Sequence, residues 1–484
     1  MDHAHTPLLS ALKKASKREH AAFYAPGHRR GQGAFPSLKD LLGSALQADL
    51  PELPELDNLF APEGPIQTAQ ILAADAFGAE QTWLLANGST CGIEAALLAA
   101  IGPGETVIVP RNAHQSIIFG LILSGAIPVF VQPTYDPAWD MAYGISPAAI
   151  AAALDQHSNA RAVLVVSPTY HGVCSDLATI AQIVHDHGIP LLVDEAHGPH
   201  FGFHPELPKS ALEANADLVV QSTHKVLSAL TQASMLHVQG TRIDRQRLER
   251  SLRMTQSSSP NYLLLASLDA ARAQIATVGE TLMDHTLAIA KQVRACLEGE
   301  TPFQVLTAEA GAHLPGFHDL DLTRLTVDVS RVGWDGFAAD ACLHERFGVT
   351  AELPTLRCLT FILTLGSTEQ DGQRLVQGLA GLLMDAPAAK PLEFTHLSQT
   401  LPSPVMVLSP REAFFALVET MPIQAALGRA CADVICPYPP GIPILLPGEM
   451  VTEAAIAYLD EVHRRGGHIT GLPEVGLAAL RVVR

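Results

Sequence analysis

Short apolar segments alternate with helix-like segments between residues 66 and 240, and this alternation constrains the fold more than any other feature of the chain. The apolar segments are rich in Val, Ile and Leu, as is typical of parallel strands buried on both faces. The pattern therefore predicts a doubly wound α/β domain, in which helices cover both faces of a mostly parallel sheet. The predicted strands are 82–86, 107–109, 128–131, 162–166, 191–193 and 218–220, followed by an antiparallel strand at 235–238. The predicted helices between them are 68–77, 91–101, 115–123, 147–156 and 177–187.

The pattern changes outside this region, which suggests a multidomain chain. Prolines in the acidic segment 49–57 forbid a regular helix there, so the N-terminal residues are interpreted as an arm. A proline- and alanine-rich stretch at 385–391 is interpreted as a linker. The predicted organisation is an N-terminal arm (1–65), a large α/β domain ending in long helices (66–298), a small α/β domain (299–388) and a C-terminal α+β domain (389–484). In the small domain we expect strands at 324–329, 349–352 and 357–363 and helices at 334–347 and 369–384.

Composition excludes some classes of partner. The net charge of −18 disfavours nucleic acid and anionic membranes as partners. The seven cysteines are scattered and form no C-x-x-C pair, which favours reduced thiols, and the histidines form no metal-binding signature. The N-terminal residues lack a basic segment followed by an apolar one, and the longest apolar stretch, 117–131, is too short and too interrupted to span a bilayer. These observations predict a cytoplasmic protein without a bound metal.

An acidic residue ends one predicted strand, and a lysine follows the next strand. Asp194 comes directly after the strand 191–193, and Lys225 closes the segment Ser-Thr-His-Lys that follows the strand 218–220. A buried carboxylate needs a cationic partner, which a protonated pyridine nitrogen provides. A lysine amine can bond covalently to the aldehyde of the same cofactor. The pair therefore predicts a site for pyridoxal 5'-phosphate (PLP), with Lys225 and Asp194 as catalytic residues.

The turn Gly88-Ser89-Thr90 joins the first predicted strand to a helix. Its hydroxyl groups, its backbone N–H groups and the positive end of the helix suit a phosphate, although helix capping alone is the alternative explanation. Ser222 and His224 are further candidate phosphate donors. Lys225 or His224 is the candidate that returns a proton to the substrate Cα.

Four further residues at predicted strand ends are candidates for contacts with the cofactor ring or the substrate. His114 is expected to stack on the pyridine ring, and Ala196 is small enough to pack against its opposite face. Thr169 is a candidate partner of the phenolic oxygen, and His197 a candidate contact of the cofactor and substrate. Ordinary turn roles remain the alternative for Thr169 and His197.

Several motifs together resemble the bacterial ornithine/lysine/arginine decarboxylases, in the short form without an N-terminal receiver-like domain. The resembling segments are 24–31, 110–116, 194–198, 222–225, 257–262 and 438–449, with Arg29 and Gln115 at positions where the family more often has lysine. The resemblance implies the aspartate aminotransferase-like fold of type I PLP enzymes. It also implies a homodimer or larger assembly whose active sites lie at a subunit interface, with Ser258 near the cofactor phosphate of the neighbouring subunit.

The resemblance also implies decarboxylation of a basic amino acid in polyamine biosynthesis. Arginine, giving agmatine and CO₂, is the first choice of substrate, and lysine and ornithine remain open. A guanidinium prefers a planar carboxylate, so Glu449, Glu52 and Asp57 are candidate substrate ligands. The alternatives are an aminotransferase, in which Arg357 would bind the α-carboxylate, and a non-catalytic protein that has kept the fold.

Overall fold

The computed structural model describes residues 1–385, 392, 405–438, 441–474 and 476–484, and the chain divides into two compact units. The first unit comprises Met1–Ala100 and Pro190–Met283. The second comprises Ile101–Ile189 and the described part of Asp284–Arg484. This division passes through the predicted large domain, and the four predicted domains stay a prediction. Apart from Asp385, the expected linker at 385–391 lies outside the described residues.

The helices and strands are numbered in chain order. The strands are β1 (Gln81–Leu85), β2 (Thr106–Pro110), β3 (Ile127–Val131), β4 (Tyr135–Asp136), β5 (Met141–Ala142), β6 (Ala162–Val166), β7 (Val173–Cys174), β8 (Leu191–Asp194), β9 (Leu218–Gln221), β10 (Ser234–Val238), β11 (Gln304–Val305), β12 (Asp319–Leu320), β13 (Arg324–Asp328), β14 (Leu353–Pro354), β15 (Cys358–Ile362), β16 (Val418–Pro422), β17 (Cys436–Tyr438), β18 (His468–Thr470) and β19 (Ala479–Val483). The α-helices are α1 (Pro7–Ser16), α2 (Pro36–Leu42), α3 (Ala45–Ala48), α4 (Pro65–Phe77), α5 (Gly88–Ala100), α6 (Gln115–Ser124), α7 (Pro147–Gln156), α8 (Leu177–Asp186), α9 (Thr223–Val226), α10 (Arg245–Thr255), α11 (Tyr262–Glu300), α12 (Ala308–Gly311), α13 (Gly336–Cys342), α14 (Glu369–Met384), α15 (Pro410–Phe415) and α16 (Glu453–Arg464).

In the first unit, four strands lie in the spatial order β1, β10, β9, β8. Strands β8 and β9 are parallel, whereas β10 is antiparallel to both β9 and β1, as the sequence predicts. Helix α5 lies close to this sheet because Gly92 has no side chain. A Cβ at Gly92 would lie 2.7 Å from Leu85 Cδ1 and 2.8 Å from Val220 Cγ1. This close packing fixes where the N-terminus of α5 lies relative to the strand ends.

The second unit contains the parallel strands β6, β2 and β3, in that order, and a four-stranded antiparallel sheet in the order β11, β13, β15, β14. Buried side chains of α14 and α13, among them Leu379 and Ala339, pack with β13 and β15 in one apolar core. A separate core, which includes Leu459 and Val482, lies between α16 and the pair β16–β19. The mostly parallel α/β architecture expected from the sequence is therefore observed.

Two predicted elements of the small domain differ from the structure. The predicted strand 349–352 is not formed. Strand β14 begins at Leu353, directly after the end of the predicted segment. The amide of Val349 is bonded instead to the carbonyl oxygen of Leu343, which continues the turn after α13. The predicted helix 334–347 is accordingly split into α13 and a π-helical turn, Leu343–Phe347. Within the described ranges, no helix combines the length and apolar character that crossing a bilayer requires.

Candidate active site

Lys225 lies in the short helix α9, close to the end of β9. The backbone amide of Lys225 donates a hydrogen bond to the carbonyl oxygen of Ser222, which fixes the lysine at the strand end. Its Nζ lies 2.9 Å from Nε2 of His197, so the ammonium group can donate to the imidazole ring. An ammonium group is not nucleophilic, and an imidazole at this distance can accept its proton. The pair can therefore produce an amine that attacks a carbonyl carbon.

Asp194 is the last residue of β8, and its side chain is buried, with 5 % of the residue exposed. One carboxylate oxygen accepts a hydrogen bond from the amide of Ala196, at 3.1 Å. Burial raises the pKa of Asp194, and the charge of Lys225 and the Ala196 hydrogen bond oppose this rise without cancelling it. The carboxylate is thus desolvated and not fully compensated, so a further cation next to it would be stabilised.

The N-terminus of α5 brings two hydroxyl groups together. The helix begins at Gly88, whose φ of +79° lies in the left-handed region that favours glycine. Ser222 Oγ donates to Ser89 Oγ at 2.8 Å, although the two residues are far apart in the sequence. Thr90 is exposed in the same first turn. The first N–H groups of a helix have no intrahelical partners, so this arrangement suits an anion such as a phosphate group.

The contacts of His224 argue against its acting as a general acid. Its Nδ1 lies 2.9 Å from the carbonyl oxygen of Ala233, which requires a proton on that nitrogen. Burial is the largest influence on its pKa, which is lowered, and the neighbouring charge of Lys225 lowers it further. The imidazole is therefore neutral near pH 7, and Lys225 is the better candidate for a proton donor.

These residues fit PLP on two observations. Asp194 is a buried carboxylate that the positive charge of a protonated pyridine nitrogen would compensate. The turn at Gly88 and the hydroxyl groups of Ser89 and Ser222 provide donors for a phosphate. Ala196, predicted to pack against the ring, is buried directly after Asp194 and Glu195.

Two predicted ring contacts, His114 and Thr169, belong to the second unit. His114 caps α6, and its Nδ1 lies 2.8 Å from Ser116 Oγ and 3.2 Å from the Ser116 amide, which fixes the orientation of the ring. Thr169 is buried, and its hydroxyl oxygen accepts a hydrogen bond from the amide of Val173, at 3.2 Å. The hydroxyl group of Thr169 can still donate. The ring contacts of both residues stay predictions.

Glu449, the first candidate for binding the substrate cation, is instead paired within the second unit. Its two carboxylate oxygens accept hydrogen bonds from Arg111, at 3.0 and 2.9 Å, and one of them also accepts from the amide of Leu446, at 2.8 Å. Both side chains are buried. Because the carboxylate is already matched by a planar guanidinium, these contacts favour a structural role over substrate binding. Arg111 follows β2 directly, but nothing in the sequence pointed to Glu449 as its partner.

Glu52 and Asp57 accept hydrogen bonds within the N-terminal loop, and their contact with the substrate stays a prediction. Asp57, at a φ of +76°, accepts hydrogen bonds at the start of α4 from amides that include Gly64, at 2.7 Å, and Ile66, at 3.1 Å. Glu52 accepts from the side chain of Asn58, at 2.7 Å, in the same loop. Glu52 also accepts from the amide of Leu59, at 3.2 Å, so each carboxylate orders this loop by satisfying backbone N–H groups that lack regular partners.

The remaining predicted residues are exposed or engaged elsewhere. Ser258 is exposed in the turn before α11, where its neighbour Ser257 donates its amide to Asn87 Oδ1, at 3.3 Å. Its contact with a neighbouring subunit stays a prediction. Burial raises the pKa of Asp140 to about 6, and the hydrogen bond with Tyr135 and the charge of Arg357, the residue that an aminotransferase would use, oppose this rise.

Comparison with known proteins places this geometry in a family. Residues 6–371 match the model of the Orn/Lys/Arg decarboxylase major domain, and residues 394–474 match that of the Orn/Lys/Arg decarboxylase C-terminal domain. The arginine decarboxylase of Halalkalibacterium halodurans is 38 % identical over 481 residues, which cover 99 % of this chain and 98 % of that protein.

Solved structures agree with this assignment. Lysine decarboxylase A from Pseudomonas aeruginosa superimposes with a TM-score of 0.84 at 25 % identity, over 99 % of this chain and 80 % of that one. An alanine–glyoxylate aminotransferase from Nostoc shares the fold, with a TM-score of 0.53 at 17 % identity over 66 % of this chain and 86 % of that one. The predicted fold class and enzyme class are thereby confirmed, and the chain belongs to the Orn/Lys/Arg decarboxylase family.

Proposed function

We propose that this decarboxylase binds PLP at Lys225 and converts L-arginine to agmatine and CO₂. The observation that carries the proposal is the contact between Lys225 Nζ and His197 Nε2, in the unit that also contains the desolvated carboxylate of Asp194. PLP, when bound, supplies an electron-withdrawing ring that makes loss of the α-carboxylate feasible.

Five residues of the first unit, besides His197, have a role in this proposal. Asp194 would keep the proton on the ring nitrogen, because a further cation next to its desolvated carboxylate is stabilised. Ser89, Thr90 and Ser222 bind the phosphate at the N-terminus of α5. Lys225 would hold the cofactor through its aldehyde, with His197 accepting the proton of the ammonium group. His197 could return that proton to Lys225, and Lys225 would then be the proton donor to the substrate Cα.

The choice of arginine is supported by the relative at 38 % identity, which is named an arginine decarboxylase. Lysine and ornithine are the competing substrates, since the family name includes all three amino acids. We further propose a homodimer or larger assembly in the cytoplasm. All seven cysteines are free, as a reducing compartment requires, and the exposed Ser258 is accessible to a neighbouring subunit.

The proposal is tested by measuring CO₂ release from arginine, lysine and ornithine by the purified protein with added PLP. We expect the highest kcat/KM with arginine, and agmatine as the second product. Borohydride reduction should fix PLP to the wild type but not to Lys225→Ala, whereas Lys209→Ala, which changes an exposed lysine of the same unit, should behave like the wild type. Absence of CO₂ with all three amino acids would refute the proposal, and a 2-oxo acid that appears only with an amino-group acceptor would indicate an aminotransferase.

A further inference from the structure

A buried line of four polar side chains crosses the sheet of the first unit. Thr82 Oγ1 lies 2.8 Å from His237 Nδ1, and His237 Nε2 lies 3.2 Å from Gln221 Oε1. Gln221 Nε2 in turn donates to Glu195 Oε2 at 2.7 Å. The line takes one residue from each of β1, β10 and β9 and ends just after β8. Because Val220 faces α5 at Gly92, Gln221 and the line lie on the opposite face of the sheet.

When Glu195 is ionised, the donor and the acceptor of each hydrogen bond in the line are determined. The other oxygen of Glu195 accepts a hydrogen bond from the amide of Ala211, at 2.7 Å, so both oxygens face N–H donors. Gln221 then presents its oxygen to His237, which donates from Nε2 and accepts at Nδ1 from the hydroxyl group of Thr82. Every hydrogen bond of the line is satisfied in this arrangement.

With the same four side chains in place, the donors and acceptors of the line can also be reversed. Burial raises the pKa of Glu195 to about 8, so its protonated form is accessible near neutral pH. A protonated Glu195 donates to Gln221 once the amide of Gln221 is reversed. His237 then accepts at Nε2 and donates from Nδ1 to Thr82. The line therefore holds Glu195 in one place in either protonation state.

Glu195 belongs to the turn that carries two residues of the active site. Asp194 precedes it, and His197, the neighbour of Lys225, follows two positions later. The carbonyl oxygen of Glu195 accepts from the amide of Gly198 at 3.0 Å, which closes the turn. A Cβ at Gly198 would lie 2.8 Å from Cγ of Glu195, so the turn is shaped around this side chain.

We propose that Glu195 is a positioning residue, which holds the turn bearing Asp194 and His197 in place through Gln221 and Ala211. This inference rests on the proposed function, because its purpose is to keep Asp194 and His197 in position for PLP and Lys225. Without the side chain of Glu195, the donors on Gln221 and Ala211 are buried without an acceptor, and the turn is tied to the sheet by backbone hydrogen bonds alone. Asp194 then loses a fixed position relative to the ring nitrogen.

The test measures PLP binding rather than catalysis. The PLP dissociation constant and the rise in Tm on adding PLP are compared among the wild type, Glu195→Ala, Glu195→Gln and the control Glu213→Ala. Glu213 is exposed and accepts from the amide of Ser210 in the loop next to Ala211, so its variant removes a nearby carboxylate that acts on Glu195 through its charge and not through a hydrogen bond.

We expect Glu195→Ala to bind PLP about tenfold more weakly, because two buried donors lose their acceptor and the turn that bears Asp194 loses its fixed position. Its rise in Tm with PLP should be smaller than that of the wild type. Glu195→Gln can donate to a reversed Gln221 and should stay within about threefold of the wild type. Glu213→Ala should match the wild type. A purely structural role would lower Tm equally with and without PLP and leave the dissociation constant unchanged.

A folded Glu195→Ala with wild-type affinity for PLP would overturn the positioning role, and so would a Glu195→Gln as weak as Glu195→Ala. If Glu195→Ala does not fold, Gln221→Leu decides, since it cuts the line and leaves the bond between Glu195 and Ala211. A severalfold loss of affinity supports the proposal, and unchanged affinity overturns it. A wild type that does not bind PLP would overturn the proposed function itself, whereas normal wild-type binding with unaffected variants would overturn only the role of Glu195.

Discussion

The variant Glu449→Gln tests whether this carboxylate stabilises the fold or contacts the substrate, as the sequence predicts. The side chains of Arg111 and Glu449 are only 5 % and 2 % exposed, and two hydrogen bonds of 3.0 and 2.9 Å join them. Arg111 also donates to the carbonyl oxygens of Pro443 and Ile444, so it is held in place after the carboxylate is removed. An amide cannot neutralise the remaining buried guanidinium charge.

The expected loss is about 3–5 kcal/mol in the free energy of unfolding, because a buried charge is left uncompensated. Urea unfolding followed by circular dichroism measures it. The control is Asp433→Asn, which breaks the pair with Arg481 in the same unit. The side chains of Arg481 and Asp433 are 43 % and 22 % exposed, and a pair accessible to water contributes about 0–1 kcal/mol.

A double variant tests the cause of the loss. Arg111→Met combined with Glu449→Leu removes both charges, so it should recover the part of the loss that is due to the unpaired guanidinium. The recovery should be incomplete, because the carbonyl oxygens of Pro443 and Ile444 and the amide of Leu446 lose their partners. The KM of folded Glu449→Gln should equal that of the wild type. The reasoning is refuted if Glu449→Gln unfolds at the wild-type urea concentration but has a raised KM, since that result would place the carboxylate on the substrate.

Three further changes test the fold and its pH dependence. Gly92→Ala should lower stability by about 1–3 kcal/mol, because its methyl group would lie 2.8 Å from Val220 Cγ1. Gly299→Ala, whose Cβ would meet no described atom within 4 Å outside its chain neighbours and the nearby backbone of its own helix, should not destabilise the protein in thermal unfolding. Asp57→Ala should lose about 1–2 kcal/mol in urea unfolding, because the first amides of α4 lose their acceptor, and an unchanged midpoint would contradict the capping role. Burial lowers the pKa of His237 to about 3, whereas the same imidazole in the unfolded chain has a pKa of about 6.5. The stabilisation from neutral His237 is therefore complete above pH 6.5 and is lost as the pH falls towards 3, by up to about 1.4 kcal/mol per pH unit. His237→Gln should therefore show a shallower fall in urea midpoint between pH 6.5 and 4.5, and parallel profiles would rule out this contribution.

The sequence predicted the elements that local patterns determine. The apolar runs of β6, β8 and β9 gave strands with nearly the observed bounds, because residues buried on both faces must be apolar along the whole strand. Asp194 and Lys225 could be placed at strand ends by counting from these runs, and the structure has both residues there.

The sequence did not predict contacts that depend on distant partners or unusual backbone geometry. Arg111 and Glu449 are 338 positions apart, and no local pattern specifies such a pair. Asp57 accepts from amides seven and nine residues later in the chain, and its own positive φ is uncommon outside glycine. Glu195 directly follows Asp194, but its acceptor role becomes visible only when Gln221 and Ala211 are known to face it.

The first unit is built from two separate stretches of chain, and this has a consequence for synthesis on the ribosome. Strand β1 pairs with β10, which is translated about 150 codons later, after the whole of residues 101–189. Until Val238 has emerged, β1 has an edge without its partner strand, and unpaired strand edges promote aggregation. A nascent chain that stalls before β10 therefore exposes an incomplete sheet, and chaperones that shield strand edges should matter most during this interval.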